Sequence, residues 1–85
     1  MAIIVPDEID LHGLTVDEAI PLVDNFLEKA FRAKKMRAWI IHGRGTGTLR
    51  RAVRQHLMKH PLVRSCRTAG PGRGGIGATE VDIVD

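Results

Sequence analysis

Apolar residues recur at helical spacing from Val16 through Ala19, Ile20, Val23, Phe26, Leu27 and Ala30. They mark a single stripe on a helix of about 18 residues. Thr15-Val16-Asp17-Glu18 opens it as a capping box: the Thr15 hydroxyl serves amides ahead while Glu18 reaches back. A one-striped helix must bury its stripe on something, and the segments flanking it have strand character. Ile9-Asp10-Leu11-His12 alternates apolar and polar before stopping at Gly13. Ala38-Trp39-Ile40-Ile41, bounded by Arg37 and His42, is a continuous apolar run that suits a strand lying centrally or covered on both faces. Pro21 falls inside the helical run, where it removes one hydrogen bond, so a bend or a loosened first turn is expected there.

The rest of the chain extends this alternation. A second helix is expected from Thr48 to Lys59, with Leu49, Ala52, Val53 and Leu57 inward and Arg50, Arg51 and Arg54 outward, stopped by Pro61. Leu62–Thr68 reads as a strand, Gly70–Gly77 as a mobile glycine-rich loop, and Thr79–Val84 as a final strand. The order β-α-β-α-β-β predicts an α/β fold of the α+β two-layer type. A four-stranded mixed sheet would carry both helices on one face, with right-handed parallel crossovers first and an antiparallel pair last. With 85 residues there is room for one core. The longest apolar runs are four residues, far below the roughly 20 of a membrane span. No secretory signal is apparent, and a lone Cys66 excludes an internal disulfide framework. A cytoplasmic, membrane-free domain is expected.

Charge is strongly segregated. Residues 1–33 sum to −5, residues 34–75 to +11 without a single carboxylate, and residues 76–85 to −3. The middle stretch, mostly arginine, reads as a surface prepared for a polyanion. Trp39, Phe26 and Phe31 are the only aromatics of the Phe/Tyr/Trp type, and all three fall at expected core positions. A base-stacking platform would then lack its parts, and binding would rest on phosphate contacts.

Two echoing motifs concentrate the chemistry. Asp10-Leu11-His12-Gly13 and Ile40-Ile41-His42-Gly43 each put a histidine and a glycine at the carboxyl end of an expected parallel strand. Ligands of open α/β sheets bind beyond such ends. On strands that are adjacent or one apart, His12 and His42 would lie within about 5–10 Å of each other. Asp10 and His12 share a strand face, and an aspartate beside a histidine orients it for acid–base work. Gly43-Arg44-Gly45-Thr46-Gly47 leads from strand into helix, so its amides and the helix dipole offer an anion site. Its spacing fits neither a Walker A loop nor a dinucleotide fingerprint. Phosphate contacts are therefore assigned to Gly43, Arg44, Gly45, Thr46 and Gly47, to Arg50, Arg51 and Arg54, and, less strongly, to Arg73 of the flexible loop. His56 and His60 have metal-ligand spacing, but the sequence offers them no third ligand, and no metal site is assigned. Cys66 reads as a small core residue.

Asp10-Leu11-His12-Gly13, His42-Gly43-Arg44-Gly45 with Thr46-Gly47, and the glycine loop at 70–77 together resemble the small MutS-related (Smr) domain. The resemblance spans residues 9–84 and is strongest to the C-terminal Smr domain of the second type of bacterial MutS-like proteins. It implies one domain over 1–85 with an N-terminal extension at 1–8, and a fold similar to the C-terminal half of translation initiation factor three. It also implies nucleic-acid binding with endonuclease activity, as DNA nicking or RNA cleavage. Asp10 and His12 would then be catalytic, and His42–Gly45 binding or catalytic. Expected partners are DNA or RNA, with the ribosome a further one, and the domain would belong to a larger MutS-like chain. No certain cofactor follows from it, and a divalent metal is an option were DNA the substrate. The alternative is a nucleic-acid- or ribosome-binding module without catalysis.

Overall fold

The structure, a computed structural model, describes residues 5–85, so residues 1–4 of the expected N-terminal extension lie outside the described residues. The chain runs β1 (Glu8–Asp10), α1 (Val16–Arg32), β2 (Arg37–Ile41), α2 (Thr48–Met58), β3 (Val63–Thr68) and β4 (Ala78–Ile83). The sheet order is β1-β2-β4-β3. β1 and β2 are parallel, and β4 is antiparallel to both of its neighbours. The expected four-stranded mixed sheet therefore forms, with β4 inserted between β2 and β3.

Both helical stripes bury on one sheet face. Ala19, Val23, Phe26, Leu27 and Ala30 of α1 meet Val53 and Leu57 of α2 over Leu11, Ala38, Ile40, Val81 and Ile83. Burying a side chain of this size is worth about 1.5–3 kcal/mol, so this seam is the main source of stability. The capping box forms as expected, with Glu18 N–H donating to Thr15 Oγ1 (3.2 Å) and Thr15 N–H to Glu18 Oε1 (2.9 Å). Helix α1 runs unbroken through Pro21, and its first turn keeps the Ala19 N–H to Thr15 C=O bond at 2.9 Å. The capping box holds the first turn closed, and the Pro21 ring lies on the exposed side.

Three expectations need correction. β2 is central but covered on one face only, so Trp39 lies half-buried on the open face rather than in the core. Phe31 is 37% exposed near the end of α1. The 70–77 segment is not a formless loop: Pro71–Arg73 and Gly75–Gly77 are short 3₁₀ turns. Arg73 and Gly75 N–H both donate to Gly70 C=O, and the Gly77 carbonyl accepts from His42 and Gly43 N–H at 3.0 and 2.9 Å. Among the described residues no helix is long and apolar enough to cross a membrane.

Candidate nucleic-acid interface

The carboxyl ends of β1 and β2 meet at a saddle. Leu11 N–H donates to Ile41 C=O at 2.7 Å, extending the ladder one residue beyond β1. The chain then turns away through Gly13, whose φ is +81°. Gly43 has φ +85°, and a Cβ there would come within 3.3 Å of His12 Cβ. Glycine at 43 is thus favoured by its backbone conformation, and a side chain there would also press on His12.

Asp10 and His12 form a tight pair. His12 Nδ1 lies 2.6 Å from Asp10 Oδ1, and the same oxygen accepts the His12 backbone N–H at 3.0 Å. The hydrogen bond from the His12 ring, followed by that from its backbone N–H, holds the Asp10 carboxyl below the usual range, so it is ionised near neutrality. A carboxylate only accepts, so the proton sits on Nδ1 and the Nε2 lone pair of a neutral ring faces outward. The His12 side chain is 71% exposed.

His42 is placed differently. Asp10 pairs with Ile41, and Leu11, Ala38 and Ile40 lie in the core. By strand alternation Asp10 and His12 are on the open face and His42 on the helix-covered face. The two histidines are neighbours in the fold without sharing a face. His42 is 4% exposed. Its Nδ1 is 3.0 Å from the Gly43 carbonyl, which can only accept, so Nδ1 carries the proton and Nε2 accepts from Thr79 Oγ1 at 2.9 Å. Burial pushes the His42 pKa down, with Arg50 and Arg54 adding to the effect against the Gly43 bond. The ring is neutral with both nitrogens engaged.

Beside this saddle, residues 13–16 and 42–50 enclose a cleft of about 400 Å³. Helix α2 begins in its lining behind Gly47 (φ +84°), which has no side chain to cap the helix; Thr46 Oγ1 accepts the Thr48 N–H at a long 3.4 Å, and the first turn holds no acid. The first-turn N–H groups therefore point into an electropositive opening. The Arg50 and Arg51 guanidinium groups fold back toward Gly47, and the Arg44 stem packs over Gly77. Thr46 Oγ1 bonds Thr48 Oγ1 at 2.9 Å and steadies the loop. Arg54 reaches only Thr68 Oγ1, at 3.5 Å.

Not all of the basic stretch is free. Arg67 binds Glu80 and Asp82, Arg37 binds Asp82, and Arg64 binds Asp85. The Arg67 hydrogen bond is the main reason the Asp82 carboxyl is held far below its ordinary range. Arg73 is not a loose loop residue: its guanidinium carbon lies 3.6 Å from the centre of the Trp39 ring, and Asp7 is 3.9 Å away. Among the described residues Arg44, Arg50, Arg51 and Arg54 have no carboxylate within 4 Å. The expectation of one uniform basic surface over 34–75 is therefore corrected to a smaller patch around the cleft.

His56 and His60 do have a third group, Asp24 of α1, which the sequence spacing did not reveal. His56 Nε2 lies 2.6 Å and His60 Nε2 3.2 Å from Asp24 Oδ1. His60 Nδ1, however, accepts the Leu62 N–H at 3.1 Å, which leaves the proton on Nε2. A metal on that nitrogen would require an anionic ring, so the donor set fits a tie between the helices better than a metal centre.

Comparison with known proteins agrees with this architecture. The Smr domain family model matches residues 9–84. Endonuclease MutS2 of Thermomicrobium roseum is 48% identical over 77 residues, covering 91% of this chain and 10% of that protein. Endonuclease MutS2 of Staphylococcus carnosus is 45% identical over 76 residues, covering 89% and 10%. The chain thus spans about a tenth of the length of these curated relatives. The crystal structure of the Smr domain of Thermus thermophilus MutS2 superposes with a TM-score of 0.90 at 43% identity, covering 93% of this chain and 99% of that one. YdaL, a stand-alone small MutS-related protein from Escherichia coli, gives 0.88 at 27% identity, covering 93% and 65%. By sequence and by fold, the chain belongs to the Smr domain family.

Proposed function

We propose that this chain is a nucleic-acid-binding endonuclease domain that cleaves phosphodiester bonds at the saddle between β1 and β2. The observation that carries the reading is the Asp10–His12 pair, bonded at 2.6 Å and exposed next to Gly13 and Gly43, which line the cleft together with the unpaired Arg44 and Arg50. Arg44, Arg50, Arg51 and Arg54, with the amides of residues 43–47, hold the phosphates, and Asp10 with His12 handles the proton. The name Endonuclease MutS2 borne by relatives supports a nuclease. A larger MutS-like parent chain and a cytoplasmic setting accord with those relatives.

The chemistry favours RNA. His12 Nε2 removes the proton of a 2′-hydroxyl as that oxygen bonds to phosphorus and the bond to the 5′ oxygen breaks. The imidazolium, steadied by Asp10, returns the proton to the departing oxygen, and the arginines offset charge developing on the phosphate. His42 acts in this reading as a positioning residue, pinning the Gly43 carbonyl and Thr79 behind the loop. DNA nicking needs an activated water, usually on metal held by convergent carboxylates. Around Asp10 the set is thin: Asp10 itself is bonded to His12, and Glu8 is the neighbouring carboxylate on its strand face. Among the described residues the one cluster of metal-ligating side chains is at Asp24, and Glu80 and Asp82 are committed to arginines. Incubating the protein with matched RNA and DNA strands, with and without chelator, tests the reading. Chelator-resistant RNA cleavage is expected, and DNA-only cleavage abolished by chelator would overturn it.

A binding module without catalysis, docking a larger protein onto nucleic acid or the ribosome, is the second reading. It draws on the same arginine patch and on the much greater length of the relatives. Nicking by His12→Ala at the wild-type rate would favour it.

A further inference from the structure

We propose that Trp39 and Arg73 form a stacking subsite for one unpaired nucleobase adjacent to the bond cleaved by Asp10 and His12. The inference rests on the nuclease reading and adds a substrate class: strands or loops whose bases are free of pairing.

Trp39, on the open sheet face, is anchored by its Nε1–H bond to Glu80 Oε1 at 3.1 Å. The Arg73 guanidinium lies over that ring at 3.6 Å, within contact distance of a cation–π stack. One face of the guanidinium is covered by the indole. Arg73 and Trp39 together line a cleft of about 320 Å³ with Glu8, and its walls at Gly72, Gly74 and Gly77 carry no side chain. An arginine plane backed by an aromatic ring is a surface on which nucleobases stack. The glycines leave room for a flat ligand to slide in.

Position and charge point the same way. Trp39 pairs with Glu8, two residues before Asp10 on the same strand. With the strand spacing added, Trp39 and Asp10 are roughly 8 Å apart along the backbone, the scale of a single nucleotide. Around Trp39 the arginines are matched by carboxylates, with Arg37 and Arg67 on Glu80 and Asp82 and Arg73 near Asp7. A face so neutralised attracts phosphate weakly and suits a base. The unpaired arginines around the 43–47 loop suit the phosphates. A strand crossing the saddle at Gly43 would set its backbone on the loop side and one base on the Trp39 side, with the scissile phosphate between them at His12.

The test compares two single-stranded DNA octamers of equal charge, one bearing bases and one abasic throughout, which lack the 2′-hydroxyl of the proposed reaction. Wild-type protein is expected to bind the base-bearing strand about 5-fold or more tightly than the abasic strand. Trp39 is the single tryptophan, so its indole N–H gives one NMR signal. That signal should move with the base-bearing strand and stay in place with the abasic one. Arg73→Lys keeps the charge but removes the plane, and should bring the affinity ratio towards one. Equal affinities in the wild type, or a ratio unaltered in Arg73→Lys, would overturn the subsite while leaving phosphate binding intact. If neither strand binds, the nucleic-acid reading fails and the subsite falls with it.

Discussion

The two basic faces of this domain look alike in the sequence and differ in space. Arg37, Arg67 and Arg73 lie on the open sheet face, where β4 and the segment before β1 bring carboxylates among them. Arg44, Arg50, Arg51 and Arg54 surround the loop and helix on the other side of the saddle without such partners. An arginine that is already paired offers little to a ligand, because engaging a phosphate would break an existing charge-assisted bond. The lesson is that the sign of a segment is not the sign of a surface. What decides is which strand the fold places next to it.

Several substitutions should sharpen or break that contrast. The largest effect is expected at the saddle itself, where His12→Ala should slow cleavage of RNA by about 10²-fold or more while leaving binding intact. Comparable slowing of binding and cleavage together would mean that His12 is merely part of the grip. Next, Arg50→Ala/Arg54→Ala should weaken binding by about 10-fold or more. If wild type engages about three to five phosphates, log affinity on duplex DNA falls with log salt at a slope of about −2.5 to −4.5. The double variant should flatten that slope by roughly two units. Arg67→Ala is the counterpart on the neutralised face: it should lower Tm by stripping Glu80 and Asp82 of a partner, yet leave the salt slope alone. An equal loss of slope in both variants would erase the distinction between the faces.

Acid should act on the side where the charges are free. The folded-state pKa of His42 is depressed, so the folded protein favours the neutral ring. Stability is then full above the ordinary histidine value near 6.5 and declines as pH falls below it, because the unfolded chain takes up the proton first. Denaturation midpoints measured from pH 8 down to pH 5 should show this decline, and Arg50→Ala should soften it slightly. A midpoint flat across that range would contradict the buried neutral ring. The smallest effect belongs to neither face. Asp24→Asn weakens the tie from α1 to His56 and His60, and should cost about 1 kcal/mol or less with no change in salt slope.

Local signals were legible wherever neighbours in sequence decide the outcome. The capping box at Thr15, the stripe of α1, the stop at Pro61 and the Asp10–His12 pairing all depend on spacings of a few residues. The place of Trp39 is not legible, because a continuous apolar run says that a strand is central without saying how many of its faces are covered. A two-layer fold covers only one. The neutralised arginines were hidden because Arg37 and Asp82 are 45 residues apart, and only the insertion of β4 between β2 and β3 joins them. Asp24 escaped notice as a companion of His56 and His60 for the same reason, since it lies on the other helix. His42 and His12 share a motif, and strand alternation across a registered pair puts them on opposite faces.

The insertion of β4 also sets a timetable. A chain emerging in order from its N-terminus carries β1, β2 and β3 before the strand that joins β2 to β3 exists. Until residues 78–83 arrive, the sheet has a gap at its centre, two unsatisfied hydrogen-bonding edges and the arginines of the open face without Glu80 or Asp82. Closing that gap brings together positions about forty residues apart, a contact that carries a loop-closure cost. In a nascent chain the whole basic stretch would be exposed at once, and the mature difference between the two faces would appear only when the last strand docks.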